Sequence, residues 1–236
     1  MSEKVLDKFR PTIFCFTHAG GTANFFDIIE EDFKSANLVK LEYAGHGSRY
    51  RESFCNSFDE LAEDMLKQMK NYLSEEYCLF GYSMGSIVAV EVLRKIIENK
   101  FPLPSHIFLA AHEAYTRSEL LGYTPIELDE WVKKTTIEFG DIPDTLNNNK
   151  VFWKIYLPVY RADYTLIGKY DFEKLDLHTD VPATVFLSET DTPLDRMKQW
   201  GKYFADCEYL CFEGNHFFIR EHHKEMADVI EERIVR

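Results

Sequence analysis

The stretch Cys78-Leu79-Phe80-Gly81-Tyr82-Ser83-Met84-Gly85-Ser86 constrains this chain most, because it joins a short apolar run to a long helical pattern through Gly-x-Ser-x-Gly. Tyr77 to Phe80 reads as a buried strand. From Ile87 to Ile97 the apolar residues Ile87, Val88, Val90, Val92, Leu93, Ile96 and Ile97 recur with helical spacing. A serine on a sharp strand-to-helix turn takes a strained backbone conformation, and Gly81 and Gly85 let neighbouring backbone approach where a side chain would clash. Such a turn exposes the Ser83 hydroxyl as a candidate nucleophile. It also puts the Met84 N–H and the positive end of the following helix where a developing oxyanion would form. The bare pattern is only a Gly-rich turn; its strand-to-helix setting makes it a nucleophile elbow.

The flanking sequence repeats the same alternation. Thr12 to Phe16 is a strand-like run that stops at Thr17-His18-Ala19-Gly20-Gly21-Thr22, before a helical pattern through Phe25, Phe26, Ile28 and Ile29. Paired glycines free backbone amides to point into a site, so Ala19 is the candidate second oxyanion donor beside Met84. His18 reads as a structural or entrance residue. Leu38 to Tyr43 is the next strand, followed by the turn Ala44-Gly45-His46-Gly47-Ser48-Arg49, where Arg49 and Arg51 read as phosphate ligands or solvated surface. Ser57 to Glu60 has capping-box spacing ahead of an amphipathic helix through Leu61, Met65, Met69 and Leu73. Further strands are expected at His106 to Ala111, Val181 to Leu187 and Cys207 to Phe212, with a helix through Leu194, Met197, Trp200 and Phe204 and a closing helix to Val235. Strands alternating with helices imply an α/β fold with a mainly parallel sheet covered on both faces. Between about residues 115 and 180 only helical patterns occur, through Leu128, Trp131, Val132 and Thr135 and then Val151, Phe152, Ile155 and Tyr156. This insertion is expected to form a lid over the catalytic edge within a single domain spanning residues 1–236.

Serine needs a base with a pKa near 7 and an anion that fixes that base's tautomer. Among the eight histidines, His216 follows a late strand on a Gly-containing turn, where the order Ser, Asp, His puts the base. His222 and His223, on the closing helix, are expected to face solvent. Asp191, just past a strand, is the candidate acid. Glu113 is its rival, Asp195 is expected to turn away on the next helix, and Thr-Asp-Thr-Pro is also a common helix cap.

Composition narrows the partners. With 27 Lys+Arg against 40 Asp+Glu the formal charge is −13, which argues against nucleic acid or an anionic membrane surface. The five cysteines lack C-x-x-C spacing and mostly fall in strand-like runs, so they read as reduced core residues of a cytoplasmic protein. Met1 to Lys8 carry no apolar signal-like run, and no apolar stretch approaches the roughly 20 residues that span a bilayer. Cysteine and histidine spacing suggests no metal, and nothing demands more than a monomer.

Together these residues resemble the stand-alone type II thioesterases of nonribosomal peptide and polyketide synthesis, within the α/β-hydrolase superfamily. His18-Ala19-Gly20-Gly21 resembles that family's oxyanion loop, and Gly45-His46-Gly47-Ser48-Arg49 its Pro-Gly-x-Gly-x-Arg loop. Phe80-Gly81-Tyr82-Ser83-Met84-Gly85 resembles its elbow. Leu157-Pro158-Val159-Tyr160-Arg161-Ala162-Asp163-Tyr164 is similar to its lid-closing segment, and Gly214-Asn215-His216-Phe217-Phe218 to its Gly-Gly-His-Phe-Phe ending. Tyr82 stands where the family usually has histidine, Ala44 where it has proline, and Ser188 where glycine commonly begins Gly-x-x-Asp; the last alters the turn that presents Asp191. The resemblance implies hydrolysis of acyl groups from the phosphopantetheine arm of acyl or peptidyl carrier proteins, with no metal or organic cofactor beyond the arm the substrate brings. Acidic carriers meeting an acidic enzyme are steered poorly unless Arg49, Arg51, Lys154 and Arg161 gather near the entrance; the alternative is docking on an apolar patch. Two other readings fit the same residues: a general carboxylesterase or lipase, and a non-catalytic hydrolase-like ligand-binding protein.

Overall fold

Short β-branched and aromatic runs separated by helices build one parallel sheet. A computed structural model describes residue 7, residues 9–73 and residues 76–234. Met1–Lys8, Asp7 apart, and Val235 at the end of the expected closing helix lie outside the described residues. The strands are β1 (Thr12–Phe16), β2 (Asn37–Lys40), β3 (Tyr77–Tyr82), β4 (His106–Ala110), β5 (Ala183–Ser188) and β6 (Cys207–Phe212). They lie in the order β2-β1-β3-β4-β5-β6, and every neighbouring pair is parallel. The chain therefore leaves β1 toward one edge and returns on its other side to β3. In open α/β sheets such a reversal opens a crevice at the carboxyl ends of the two strands. Residues 17–21 and Ser83 both lie at that crevice.

The helices are α1 (Asp27–Glu30), α2 (Phe58–Met69), α3 (Met84–Glu98), α4 (Pro125–Glu138), α5 (Lys150–Lys169), α6 (Leu194–Met197) and α7 (Ile219–Ile234). Alternate strand residues feed two cores. Phe14, Phe16, Leu79, Leu109 and Val185 pack with α2, α3 and the segment between β4 and β5. Ile13, Cys15, Phe80, Phe108 and Phe186 pack with Ile29 of α1 and Met226 and Ile230 of α7. Both faces of the sheet are thus covered, as parallel sheets require.

Three expectations shift. The β2 ladder ends at Lys40 rather than Tyr43, although the chain stays docked through Leu41 N–H to the Cys15 carbonyl (3.1 Å) and Tyr43 Oη–H to the Thr17 carbonyl (2.8 Å). Cys15 and Cys78 are buried, but Cys211 is exposed because its strand forms the sheet's edge. His223 is tied to Asp32 rather than simply solvated. The segment between β4 and β5 is helical, as its pattern predicts, and carries α4 and α5. No helix among the described residues is long and apolar enough to cross a membrane.

Candidate active site

Ser83 sits between β3 and α3 at φ 54° and ψ −121°, a left-handed conformation that disfavours any residue with a Cβ. Packing enforces it. A Cβ on Gly85 would lie 1.9 Å from the Phe16 carbonyl oxygen, and one on Gly81 would lie 2.2 Å from the Gly85 carbonyl oxygen. The first turn of α3 is therefore pressed against the end of β1, and Ser83 N–H donates to the Ala110 carbonyl at 2.7 Å. Met84 is the first residue of α3, where a helix has amides without intrahelical partners.

His216 Nε2 lies 2.9 Å from Ser83 Oγ, and His216 Nδ1 lies 2.9 Å from each oxygen of Asp191. With the Nδ1 proton directed at the carboxylate, Nε2 presents its lone pair to the serine hydroxyl. Both partners are buried, with side chains 8% and 5% exposed. The ring is held on three sides. Phe139, just past α4, stacks on it at 4.2 Å, Phe217 meets it edge-on at 5.2 Å, and Tyr82 Oη–H donates to the His216 carbonyl at 2.8 Å. Tyr82, where the resembled family usually has histidine, thus anchors the histidine turn from below. Ser188 acquires a similar meaning: its hydroxyl and that of Thr190 both donate to the Gly214 carbonyl. The turn carrying Asp191 is stitched to the turn carrying His216 by the residue that replaces the expected glycine.

Glu113 is buried nearby but faces elsewhere. Its carboxylate pairs with Arg117 at 2.7 Å and accepts from Thr192 Oγ1 at 3.3 Å. Burial alone would raise its pKa, but the adjoining His112 ring, which charges only in acid, and the Arg117 guanidinium outweigh that and hold it below the usual value. The neighbouring His112 is pushed down to about 4 by burial, so it is neutral at physiological pH. Glu113 thus makes no contact with His216, and of the two candidate acids the structure brings only Asp191 to it.

Ala19 is buried just beyond β1, and its loop is held from α5. Gly20 N–H donates to Asp163 Oδ2 of α5 at 2.7 Å, and the same oxygen is 2.9 Å from His46 Nε2. Gly20, at φ +74°, packs directly on the Tyr160 ring; a Cβ there would fall 2.1 Å from it. His18 is buried between Phe25 and Phe217, its pKa lowered by burial, with Nδ1 3.0 Å from the Ala19 carbonyl. It props the loop and touches neither Ser83 nor His216. Sequence reasoning missed Phe139 and the Asp163–His46–Gly20 contacts; the only signal was the lid-segment likeness around Arg161-Ala162-Asp163.

Arg49 and Arg161, two of the four candidate entrance cations, are already neutralised within the protein. Arg49 is consumed by Glu52 and Asp64 and by the Glu42 carbonyl, and so braces the β2 turn against α2. Arg161 is held in a fork by Asp129 at 2.7 and 2.6 Å, and Arg51 lies over the Tyr50 ring. A cavity of about 270 Å³ opens beside Ser83, walled by Trp131, Phe139, Tyr164 and Ile167 on one side and by His112 and Arg117 on the other. A larger cleft of about 730 Å³ is lined by other residues, among them Asp59, Glu91 and Arg94, which are already paired with one another.

A parallel α/β sheet with a strained serine elbow, a histidine bonded to it and a carboxylate behind that histidine defines a serine hydrolase of the α/β-hydrolase fold. The family model for the Thioesterase domain matches residues 11–234, and the chain belongs to that family. Among relatives, linear gramicidin dehydrogenase LgrE of Brevibacillus parabrevis is 22% identical over 240 residues, covering 98% of this chain and 90% of that protein. The probable anguibactin biosynthesis thioesterase AngT of Vibrio anguillarum is 24% identical over 229 residues, covering 92% and 89%. The crystal structure of ClbQ from the colibactin NRPS/PKS pathway superposes with a TM-score of 0.85 at 23% identity, covering 96% of this chain and 97% of that one.

Proposed function

We propose that this protein is an editing or release thioesterase that frees acyl groups from the phosphopantetheine arm of carrier proteins, with Ser83 as nucleophile. The observation that carries the chemistry is the unbroken Ser83–His216–Asp191 chain of contacts, each 2.9 Å long. Ser83 Oγ attacks the thioester carbonyl while His216 Nε2 takes its proton, and Asp191 stabilises the resulting imidazolium. The carbon–sulfur bond breaks, and the thiol leaves with the proton that His216 returns. Water then attacks the acyl-enzyme with His216 as base, releasing a carboxylic acid and restoring Ser83. The Ala19 and Met84 amides hold the oxyanion in both halves, aided by the positive end of α3. The chemistry calls for no metal or organic cofactor, and the reading is of a monomer in the cytoplasm.

Membership of the thioesterase family and the biosynthetic roles of AngT and ClbQ support the carrier-bound substrate. The name of LgrE assigns that protein a redox activity; the triad geometry here supports acyl transfer. The small cavity suits short acyl groups, as removal of misprimed units requires. The test is hydrolysis of acetyl-carrier protein beside the matching acetyl oxygen ester. A higher kcat/KM on the carrier thioester is expected. Turnover of the oxygen ester alone would make the protein a general esterase, and tight ligand binding without any turnover would make it a binding protein.

A further inference from the structure

The outward face of α5 carries an arrangement the catalytic chemistry does not use. Residues 145–162 contain no acidic residue, in a chain with 40 of them and a net charge of −13. Within that stretch Val151, Lys154, Ile155 and Pro158 are all exposed, and their i, i+3, i+4, i+7 spacing puts them on one helix face. Val151 and Ile155 are 67% and 60% exposed. Lys150 stands one turn before Lys154 on the same side, and Lys133 reaches over from α4 to lie 5.9 Å from the Trp153 ring. Several arginines are spent within the protein: Arg49 on Asp64, Arg94 on Asp59 and Glu91, Arg161 on Asp129, Arg233 on Glu208. Among the described residues, Lys133, Lys150 and Lys154 make no ion pair. An apolar strip flanked by unpaired lysines on an acidic protein is costly to leave facing water and fits a partner of the opposite kind.

The face is also placed for the reaction. The same helix lays Tyr160 on Gly20 of the loop after β1 and sends Tyr164 and Ile167 into the cavity beside Ser83. Lys154 and Tyr164 are ten residues apart, about 15 Å along the helix. A substrate reaching Ser83 from a body seated at Lys154 must hang on a long arm.

We infer that the outward face of α5, built on Lys150, Val151, Lys154 and Ile155, docks an acidic carrier-protein domain whose own apolar residues cover Val151 and Ile155. The inference rests on the carrier-thioesterase reading above. Carboxylates of the carrier pair with the lysines, which speeds encounter in spite of the repulsion between two acidic bodies, and the seated domain threads its acylated arm past the loop after β1.

The experiment compares acetyl-carrier protein with acetyl-pantetheine, using wild type, the Lys150→Glu/Lys154→Glu double variant and Ile155→Asp, each checked for an unaltered melting temperature. The ratio of kcat/KM on the carrier to that on pantetheine is expected to fall at least about tenfold in both variants, through KM. In wild type the ratio is expected to decline with added salt, and in the double variant to become insensitive to it. A carrier preference that survives both variants intact overturns the docking face while leaving the thioesterase reading standing. A wild-type enzyme that cleaves acetyl-pantetheine no worse than acetyl-carrier overturns both. A concentration-dependent dimer that Ile155→Asp dissolves would assign the face to a second copy of the chain and overturn the carrier assignment.

Discussion

Two buried histidine–aspartate pairs stand at the same end of this sheet, and they have opposite meanings. His216 and Asp191 are 2.9 Å apart, and so are His46 and Asp163. The difference lies at each ring's other nitrogen. His216 Nε2 faces the Ser83 hydroxyl at 2.9 Å, so the neutral imidazole has a lone pair to offer and a proton to accept. His46 Nδ1 faces the Ala44 carbonyl at 3.0 Å while its Nε2 faces the carboxylate, so both nitrogens are engaged by oxygens and neither is turned toward a nucleophile. Burial alone would lower the His46 pKa, but the Asp163 charge and hydrogen bond outweigh it and raise it above 6.5. One pair can exchange a proton with substrate. The other clamps α5 to the loops after β1 and β2. A histidine–aspartate contact by itself therefore says nothing of catalysis; what the second nitrogen faces decides it.

The comparison breaks most sharply in rate. Asp191→Asn should lower kcat by about 10⁴, because the imidazole then loses the group that fixes its tautomer, while the melting temperature changes little. Glu113→Gln, in the same assay, should cost under about tenfold; a reversal of those two effects would transfer the acid's role to Glu113.

Asp163→Ala should do the converse. It strips both the Gly20 amide and the buried His46 ring of their acceptor, which costs about 3 kcal/mol, or roughly 6–12 °C in melting temperature for a domain of this size. Turnover of the surviving folded enzyme should fall far less than in Asp191→Asn, since Asp163 touches neither Ser83 nor His216 and acts only through the loop that carries Ala19. The penalty also depends on pH. A histidine whose folded pKa is raised contributes stability fully below its unfolded value near 6.5 and loses it as pH rises through the folded one. Asp163→Ala should therefore cost more stability at pH 6 than at pH 9, as thermal denaturation at the two values would reveal; an equal cost at both would mean that the pair is not ionic.

The same contrast marks what the sequence made legible. The elbow, the glycine turns and the order of Ser83, Asp191 and His216 are local patterns, each set by a strand ending in a turn, so they could be read along the chain. Ser83 in particular is dictated by glycines two residues away on either side, whose missing side chains let α3 close on β1. Contacts between distant side chains left no such trace. Asp163 meets Gly20 across 143 positions, Ser188 meets Gly214 across 26, and Arg49 finds Asp64 rather than a substrate phosphate. That Arg49 and Arg161 are not free cations could not be read for this reason, because sequence gives the charge of a residue but not which carboxylate neutralises it. The unpaired lysines of α5 became evident only once those partners were known.

The most direct measurement is the intact mass of the protein after brief mixing with acetyl-carrier protein and acid quenching, with the modified peptide located by fragmentation. A transient acetyl adduct is expected on Ser83 in wild type, and none in Ser83→Ala, whose turnover should fall by about 10⁴ to 10⁶. Undiminished hydrolysis by Ser83→Ala, or an adduct on another residue, would contradict that expectation.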